Sequence, residues 1–399
     1  MMVPMPTLPS LLRPSPRTTT RLLLAWLVAR NLLLPRHAVE SPRRILVSLY
    51  YKGLGDTLLL TPLIAALRQR YPEAELVLAL PRDHLPLYTG RPYGLEPMPF
   101  DIRDRETVHK IRRSGPYDLA VIPGENRQAW LARAVGARWI RGFEGGNWRY
   151  RLPVDEFIPY PAQLEPFSDL WARLAGPLAD ERYSVDDWPP PKKGDADELP
   201  AKARYAVLHA GASSTARLWG ARQWRILAEI VESSGLCVVL TAGPEQGYIL
   251  REIDPTQRWV QYPGTLSAAG MWHLLRGARL CVVPDTGIAH MAKITQTPTV
   301  VLFGQCDPRL YDPGRFWANM SYRAVTIGDL FCRDQQWFAH RPGVWGELRR
   351  CMRTLEECQH NKRCMEDLGI DSVVTAISDV SKNQSHDTVL CCDALTPHN

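Results

Sequence analysis

The sequence lacks any run of about 20 apolar residues, the length that a membrane-spanning helix needs. Its early apolar run, Leu22–Ala29, is eight residues long before Arg30 interrupts it ahead of Leu32–Leu34. A basic stripe interleaved with aromatics is also missing, which argues against a nucleic-acid partner. The formal net charge of +6 over 399 residues is mild; it suits a partner carrying phosphates without requiring nucleic acid. There are nine cysteines, an odd number at irregular spacing with no Cys-x-x-Cys pair. That is a poor disulfide framework and fits a reducing cytoplasm. Up to Ala38 no acidic residue occurs, whereas Arg13, Arg17, Arg21, Arg30 and Arg36 are basic. This leader is open to three readings: a secretory signal, an unstructured extension, and a basic segment lying on an anionic membrane surface.

The remainder has a globular composition, 45% hydrophobic and 23% charged, and a length natural for two packed domains. Arg44–Tyr50 is a β-branched, leucine-rich run that reads as a buried strand. The turn Lys52-Gly53-Leu54-Gly55-Asp56 follows, and Thr57–Tyr71 then carries apolar residues at helical spacing. Glu75–Leu80 and Tyr117–Ile122 read as further strands. The second half repeats the scheme: strands at Tyr205–His209, Leu236–Thr241, Leu280–Val283 and Thr299–Phe303 alternate with helices at Ala221–Ser233, Ser267–Arg276 and Ile288–Ile294. Such alternation predicts an α/β fold, with two Rossmann-like, doubly wound parallel-sheet domains facing across a cleft. The expected boundaries are a basic, apolar tail over 1–42, a first domain over 43–187, and a Pro-rich linker over 188–200. A second domain over 201–378 and a polar tail over 379–399 complete the chain.

Three turns at strand ends carry the chemistry. In Gly53-Leu54-Gly55-Asp56 the glycines permit a tight turn, and Asp56 is open to two roles, helix cap and catalytic carboxylate. In Pro284-Asp285-Thr286-Gly287-Ile288-Ala289-His290 a strand gives way to a helix whose first amides suit an anion, with a diphosphate the natural guest. His290, one turn on, reaches the same place. The third, His209-Ala210-Gly211-Ala212-Ser213-Ser214, places small hydroxylated residues after a strand, and Arg217 adds fixed positive charge. Glu245, after the next strand, is either an acceptor of ribose or sugar hydroxyls or a charge at a helix start.

Taken together, these segments resemble the glycosyltransferase family 9 heptosyltransferases. Gly-Leu-Gly-Asp with Thr61-Pro62 and Leu67-Arg68-Gln69-Arg70-Tyr71-Pro72 resembles the family's N-terminal signature. Asp285-Thr286-Gly287 with His290, Pro298–Gly304 and Asp307-Pro308 resembles its C-terminal one, and Gly211-Ala212-Ser213 with Trp219 and Trp224 also fits. The likeness runs from about Arg43 to Ile377 and is loose over 83–200. It implies a GT-B fold and an inverting, metal-independent transfer of heptose from ADP-heptose to a lipopolysaccharide core, with Asp56 as general base and no cofactor. The implied donor set is Ser213, Arg217, Glu245, Asp285, Thr286, Gly287 and His290. Arg217 stands where better-known members carry lysine, which leaves the donor's identity more open. Lys52 is open between holding an acceptor phosphate and being solvated. The implied setting is the cytoplasmic face of the bacterial inner membrane.

Two further readings stay in play. Cys332, Cys351, Cys358 and Cys364 lie close enough in sequence to suggest a metal set, as in iron-binding autotransporter heptosyltransferases. The same scaffold also serves transferases of hexose or N-acetylhexosamine to other glycans, and, in a different class, sugar-nucleotide epimerases and hydrolases.

Overall fold

The computed structural model describes residues 16–31, 36–51, 53–177, 182–192, 204–328, 330–336 and 340–382. The first sheet comprises β1 (Arg44–Ser48), β2 (Glu75–Leu80), β3 (Glu96–Pro99), β4 (Leu119–Ile122), β5 (Trp139–Phe143) and β6 (Glu156–Ile158), in the order β3-β2-β1-β4-β5-β6. The second comprises β7 (Tyr205–His209), β8 (Cys237–Ala242), β9 (Val260–Pro263), β10 (Leu280–Pro284), β11 (Thr299–Phe303) and β12 (Tyr322–Thr326), in the order β12-β11-β10-β7-β8-β9. All pairings in both sheets are parallel. Each domain thus starts in the middle of its sheet, winds outward, and returns to the other side. The strand order reverses beside β1 and beside β7, which opens a crevice at the carboxyl ends of those strands. The α/β, doubly wound expectation holds.

The strands form where the sequence is continuously apolar, because helices cover both faces of each sheet. In β1, Ile45 and Val47 enter one core while Leu46 enters the other. The first domain's helices are α1 (Pro16–Asn31), α2 (Leu54–Leu58), α3 (Thr61–Arg70), α4 (Arg105–Arg113), α5 (Ala129–Ala134), α6 (Trp148–Arg151) and α7 (Phe167–Ala172). Those of the second are α8 (Ala221–Ser233), α9 (Gly247–Ile253), α10 (Ala268–Gly277), α11 (Gly287–Thr295), α12 (Arg363–Glu366) and α13 (Ile370–Ser381). A single apolar cluster continues from residues of the first sheet's inner face into those of the second, so the two halves share packed surface.

One expectation is revised. The helix expected over Thr57–Tyr71 is two, α2 and α3, parted at Leu59 and Leu60. Pro62 has no amide to continue the ladder, and the Thr61 hydroxyl donates to the Leu58 carbonyl instead (2.6 Å). Within the leader, α1 is docked: Leu27 and Val28 are buried with α4 and α5 residues, and Asn31 Nδ2 donates to the carbonyls of Arg133 (3.0 Å) and Ala134 (2.9 Å). The linker's opening residues, Trp188–Lys192, run along the first domain. There the Trp188 ring lies 5.2 Å from Tyr88 and Lys192 N donates to Thr89 Oγ1 (3.0 Å); 193–203 fall outside the described residues. In the C-terminal tail α13 reaches Ser381, and 383–399 are likewise outside them.

The second half also reaches back into the first. After the short pair β13 (Gln335–Gln336) and β14 (Arg349–Arg350), the guanidinium of Arg341 between them donates to Gly124 O (3.0 Å) and Glu144 O (3.1 Å) and lies 5.0 Å over the Tyr160 ring. Trp345 Nε1 donates to Pro161 O (2.9 Å). In the other direction, the Asp169 carboxylate of α7 accepts the amide of Arg315 (2.9 Å).

Candidate active site

A cleft of about 660 Å³ lies between the domains at the carboxyl ends of their sheets. From the first half, Gly53, Gly55 and Asp56 line it; from the second come Gly211, Ser213, Arg217, Asp285, Thr286, Gly287 and His290. Residues separated by more than 150 positions thus face one another because both domains place their strand-to-helix turns on the same side. Thr286 is extended and caps α11, leaving the first amides of a nine-residue helix free to meet an anion. Two buried polar atoms here, Thr286 Oγ1 and His290 Nδ1, have no hydrogen-bond partner among the described residues. Burial, reinforced by the Lys293 charge, holds the His290 pKa well below its ordinary value, so the ring is a neutral hydrogen-bonding group.

The two turns meet closely at their glycines. A Cβ on Gly55 would lie 2.5 Å from His290 Cδ2 and 3.2 Å from Gly287 Cα. One on Gly287 would lie 3.0 Å from Gly55 N. Glycine is needed at both positions for the close approach of two backbones, not for a special dihedral.

Asp56 sits in the first turn of α2. Burial pushes its pKa up to about 6, with the Asp285 carboxylate adding to the rise; the Gly53 amide and the guanidinium groups of Arg217 and Arg350 act in the opposite sense. The result is a carboxylate poised near neutrality, suited to proton transfer. Across from it, Arg217 Nη1 donates to Asp285 O (3.1 Å) and stands 3.9 Å from the Asp285 carboxylate, while Nε donates to Gln305 Oε1 (3.0 Å). Arg217 is therefore held rigidly and presents fixed charge to the cleft.

Of the residues singled out in the sequence, Glu245 is not brought into the cleft wall. It has a left-handed backbone (φ 63°) and is exposed, and that turn directs Gln246 inward instead. Gln246 Oε1 accepts from Gly243 N (3.2 Å) and its amide donates to Ala212 O (2.6 Å). Lys52 lies outside the described residues. Sequence reasoning missed Tyr51, Tyr160, Trp171, Tyr311 and Arg350, all in the cleft wall. Tyr311 has its ring 5.6 Å from that of His290, and Arg350 arrives on β14. No periodic pattern marks any of them.

Behind α11, Lys293 is fully buried. Its ammonium donates to the carbonyls of Tyr311 (2.5 Å) and Asp312 (3.1 Å), and the rings of Trp317 and Tyr322 lie 5.5 and 5.6 Å away. Burial lowers its pKa to about 7, against the carboxylates of Asp312, Asp285 and Asp169. In the unfolded chain a lysine titrates near pH 10, so between about 10 and 7 the unfolded state holds a proton that the folded state lacks. Stability should fall as pH drops through that window and level off below it. Lys293→Met is expected to flatten this dependence by up to one proton's worth. Denaturant midpoints measured across the window test this; parallel curves for the two proteins would count against it.

Cys332, Cys351, Cys358 and Cys364 line a second cavity, of about 220 Å³. Burial and the neighbouring thiols push the Cys364 pKa up to about 11. Among the described residues no group of three or more His, Cys, Asp or Glu side chains is arranged to hold a metal ion. The four are free thiols grouped around this one cavity.

Residues 106–326 match the profile of glycosyltransferase family 9 (heptosyltransferase). The chain is 26% identical over 306 residues to lipopolysaccharide heptosyltransferase 3 of Escherichia coli K12, covering 69% of this chain and 88% of that one. It superposes on the ADP-heptose lipopolysaccharide heptosyltransferase II of E. coli with a TM-score of 0.63 at 18% identity, covering 85% of this chain and 98% of the other. The iron-containing dodecameric glycosyltransferase TibC of enterotoxigenic E. coli gives 0.52 at 17% identity, covering 87% and 78%. The fold is thus that of GT-B transferases. With more than half of its length inside the family profile, the chain belongs to glycosyltransferase family 9.

Proposed function

We propose that the protein transfers heptose from ADP-heptose to a lipopolysaccharide-core acceptor with inversion, Asp56 acting as general base and no metal taking part. The observation that carries this reading is the placement of Asp56 opposite Thr286, Gly287 and His290 in one cleft. A diphosphate on the amino end of α11 meets the Thr286 and Gly287 amides, the unpartnered Thr286 hydroxyl and His290. Arg217 and Arg350 balance its charge, and Ser213 lies at the mouth. Asp285 holds Arg217 in place, and Glu245 is assigned to the donor's ribose or sugar hydroxyls from the rim. Lys52 is assigned to an acceptor phosphate.

In the step itself, the Asp56 carboxylate takes the proton of the acceptor hydroxyl as its oxygen bonds to the anomeric carbon. The bond from that carbon to the diphosphate oxygen breaks, and ADP departs with the electron pair. Attack from the face opposite the leaving group inverts the anomeric centre. The helix end and the two arginines stabilise charge growing on the departing oxygen. The similarity to heptosyltransferases of lipopolysaccharide synthesis supports the choice of donor and acceptor, and a lipid-anchored acceptor places the enzyme on the cytoplasmic face of the inner membrane.

Purified enzyme incubated with a panel of sugar nucleotides, reading nucleoside diphosphate release, tests the proposal. ADP should be released from ADP-heptose only when a core acceptor is present. Release without acceptor would instead mark a hydrolase or epimerase, and selective turnover of a hexose or N-acetylhexosamine donor would overturn the donor assignment.

A further inference from the structure

α1 buries one side against α4 and α5, yet its other side is apolar too. Leu22 and Trp26 are 63% and 58% exposed, and exposed Ala25 and Ala29 continue the stripe at helical spacing. Arg21 and Arg30 border it, and the helix contains no acidic residue. The described helices are too short and too polar to cross a membrane.

α6 presents the second part of the same surface. Both helices ride over α5, whose residues are buried apart from half-buried Trp130. The Trp130 indole donates to Arg149 O on α6 (3.0 Å), and Arg36, just beyond α1, stands 3.9 Å from Asp155, just beyond α6. On this side Trp148 and Leu152 are 64% and 59% exposed, and residues 145–154 include no Asp or Glu. Three arginines each lie over an outward ring: Arg30 over Trp26 (5.9 Å), Arg149 over Trp148 (5.6 Å) and Arg151 over Phe157 (5.0 Å). The carboxylates that follow α6 are taken up, Asp155 by Arg133 and Arg36 and Glu156 by Arg141.

Scattered exposed hydrophobics are ordinary, but here indoles and leucines share one face with charge of a single sign. Such a face is complementary to a partner that is apolar at depth and anionic at its surface. We propose that α1 and α6 together form a docking face for an anionic phospholipid bilayer. The site chemistry connects to it: Tyr51 in the cleft wall is 5.8 Å from Tyr50, and the Arg127 guanidinium lies between Tyr50 (4.4 Å) and Tyr150 of α6 (5.2 Å). A glycan seated at Asp56 therefore has its lipid end beside this face. This orientation rests on the acceptor being lipid-anchored, as proposed above; the docking itself does not.

The test is co-flotation of the full chain with vesicles of phosphatidylcholine alone and of phosphatidylcholine mixed with phosphatidylglycerol. Binding is expected only to the second kind and should weaken with salt. Arg149→Glu with Arg151→Glu should reduce it by at least about 25-fold, at about fivefold per surface arginine. Trp26→Ser with Trp148→Ser, on exposed positions, should also reduce it, which guards against a folding defect in either pair. Turnover of a delipidated acceptor, followed in parallel, should be unchanged in both variants. Equal binding to both vesicles, or anionic binding untouched by the substitutions, would overturn the inference. So would a dimer that the same substitutions dissociate, since a second copy would then be the occupant. Vesicle binding that behaves as stated alongside a failed donor assay would remove the functional reading and leave the docking face standing.

Discussion

Asp56→Asn is expected to lower kcat by about 10²–10⁴-fold, the usual contribution of a positioned general base, while ADP affinity stays close to that of the parent. The amide keeps the side chain's shape and cannot accept the proton. Initial rates and calorimetric ADP titration separate the two effects; equal losses in both would take Asp56 out of the chemistry. The pH profile carries a second signature. Because burial and Asp285 raise the Asp56 pKa to about 6, kcat/KM should climb as pH rises through that value, and the limb should vanish in the variant. Stability moves the other way. The folded pKa lies above the unfolded one, so protonated Asp56 favours the fold and ionised Asp56 works against it above about pH 6. The variant should therefore melt at a higher temperature than the parent at neutral pH, and the gap should close on acidification.

Gly55→Ala should act by a different route and produce nearly as large an effect. The added methyl meets the His290 ring and the Gly287 backbone across the domain boundary, and a backbone atom cannot swing aside as a long side chain can. The halves must part slightly. Since a displacement of about 1 Å at a reacting centre can lower a rate by about 10²-fold, kcat should fall by roughly 10- to 100-fold. The groups assigned to the nucleotide belong to the second domain, so ADP should still bind. A variant with near-normal turnover would show that this close approach is not required. Gly287→Ala should behave alike in turnover but also weaken ADP, because the added methyl displaces the turn whose amides face the donor.

The sequence made the central strands and the two signature turns legible for a plain reason. Strands covered on both faces are uninterrupted apolar runs such as Ile45–Val47 and Val300–Phe303, and turns at their ends must use small residues. The outer strands β3, β5 and β6 were not legible, because Glu96, Arg141 and Glu156 interrupt the apolar pattern near the sheet edge. The highly charged α4 buries only Thr107, Val108 and Ile111. At the site, one left-handed residue separated the expected Glu245 from the inward-facing Gln246. Arg350 and Tyr311 were invisible for another reason: each is carried in by an irregular excursion whose path is fixed by contacts with distant elements, and local sequence contains no trace of those.

The buried guanidinium of Arg341 bears on modular exchange. It grows from the second half of the chain but satisfies carbonyls belonging to the first, so neither half is a self-contained cassette. A chimera that joins this protein's acceptor half to a cousin's donor half would bring a foreign plug to those carbonyls. If the plug did not match, two backbone oxygens would lose their donors in the interior. Recombination between relatives is thus steered toward breakpoints that keep residues 340–346 with the half they fasten.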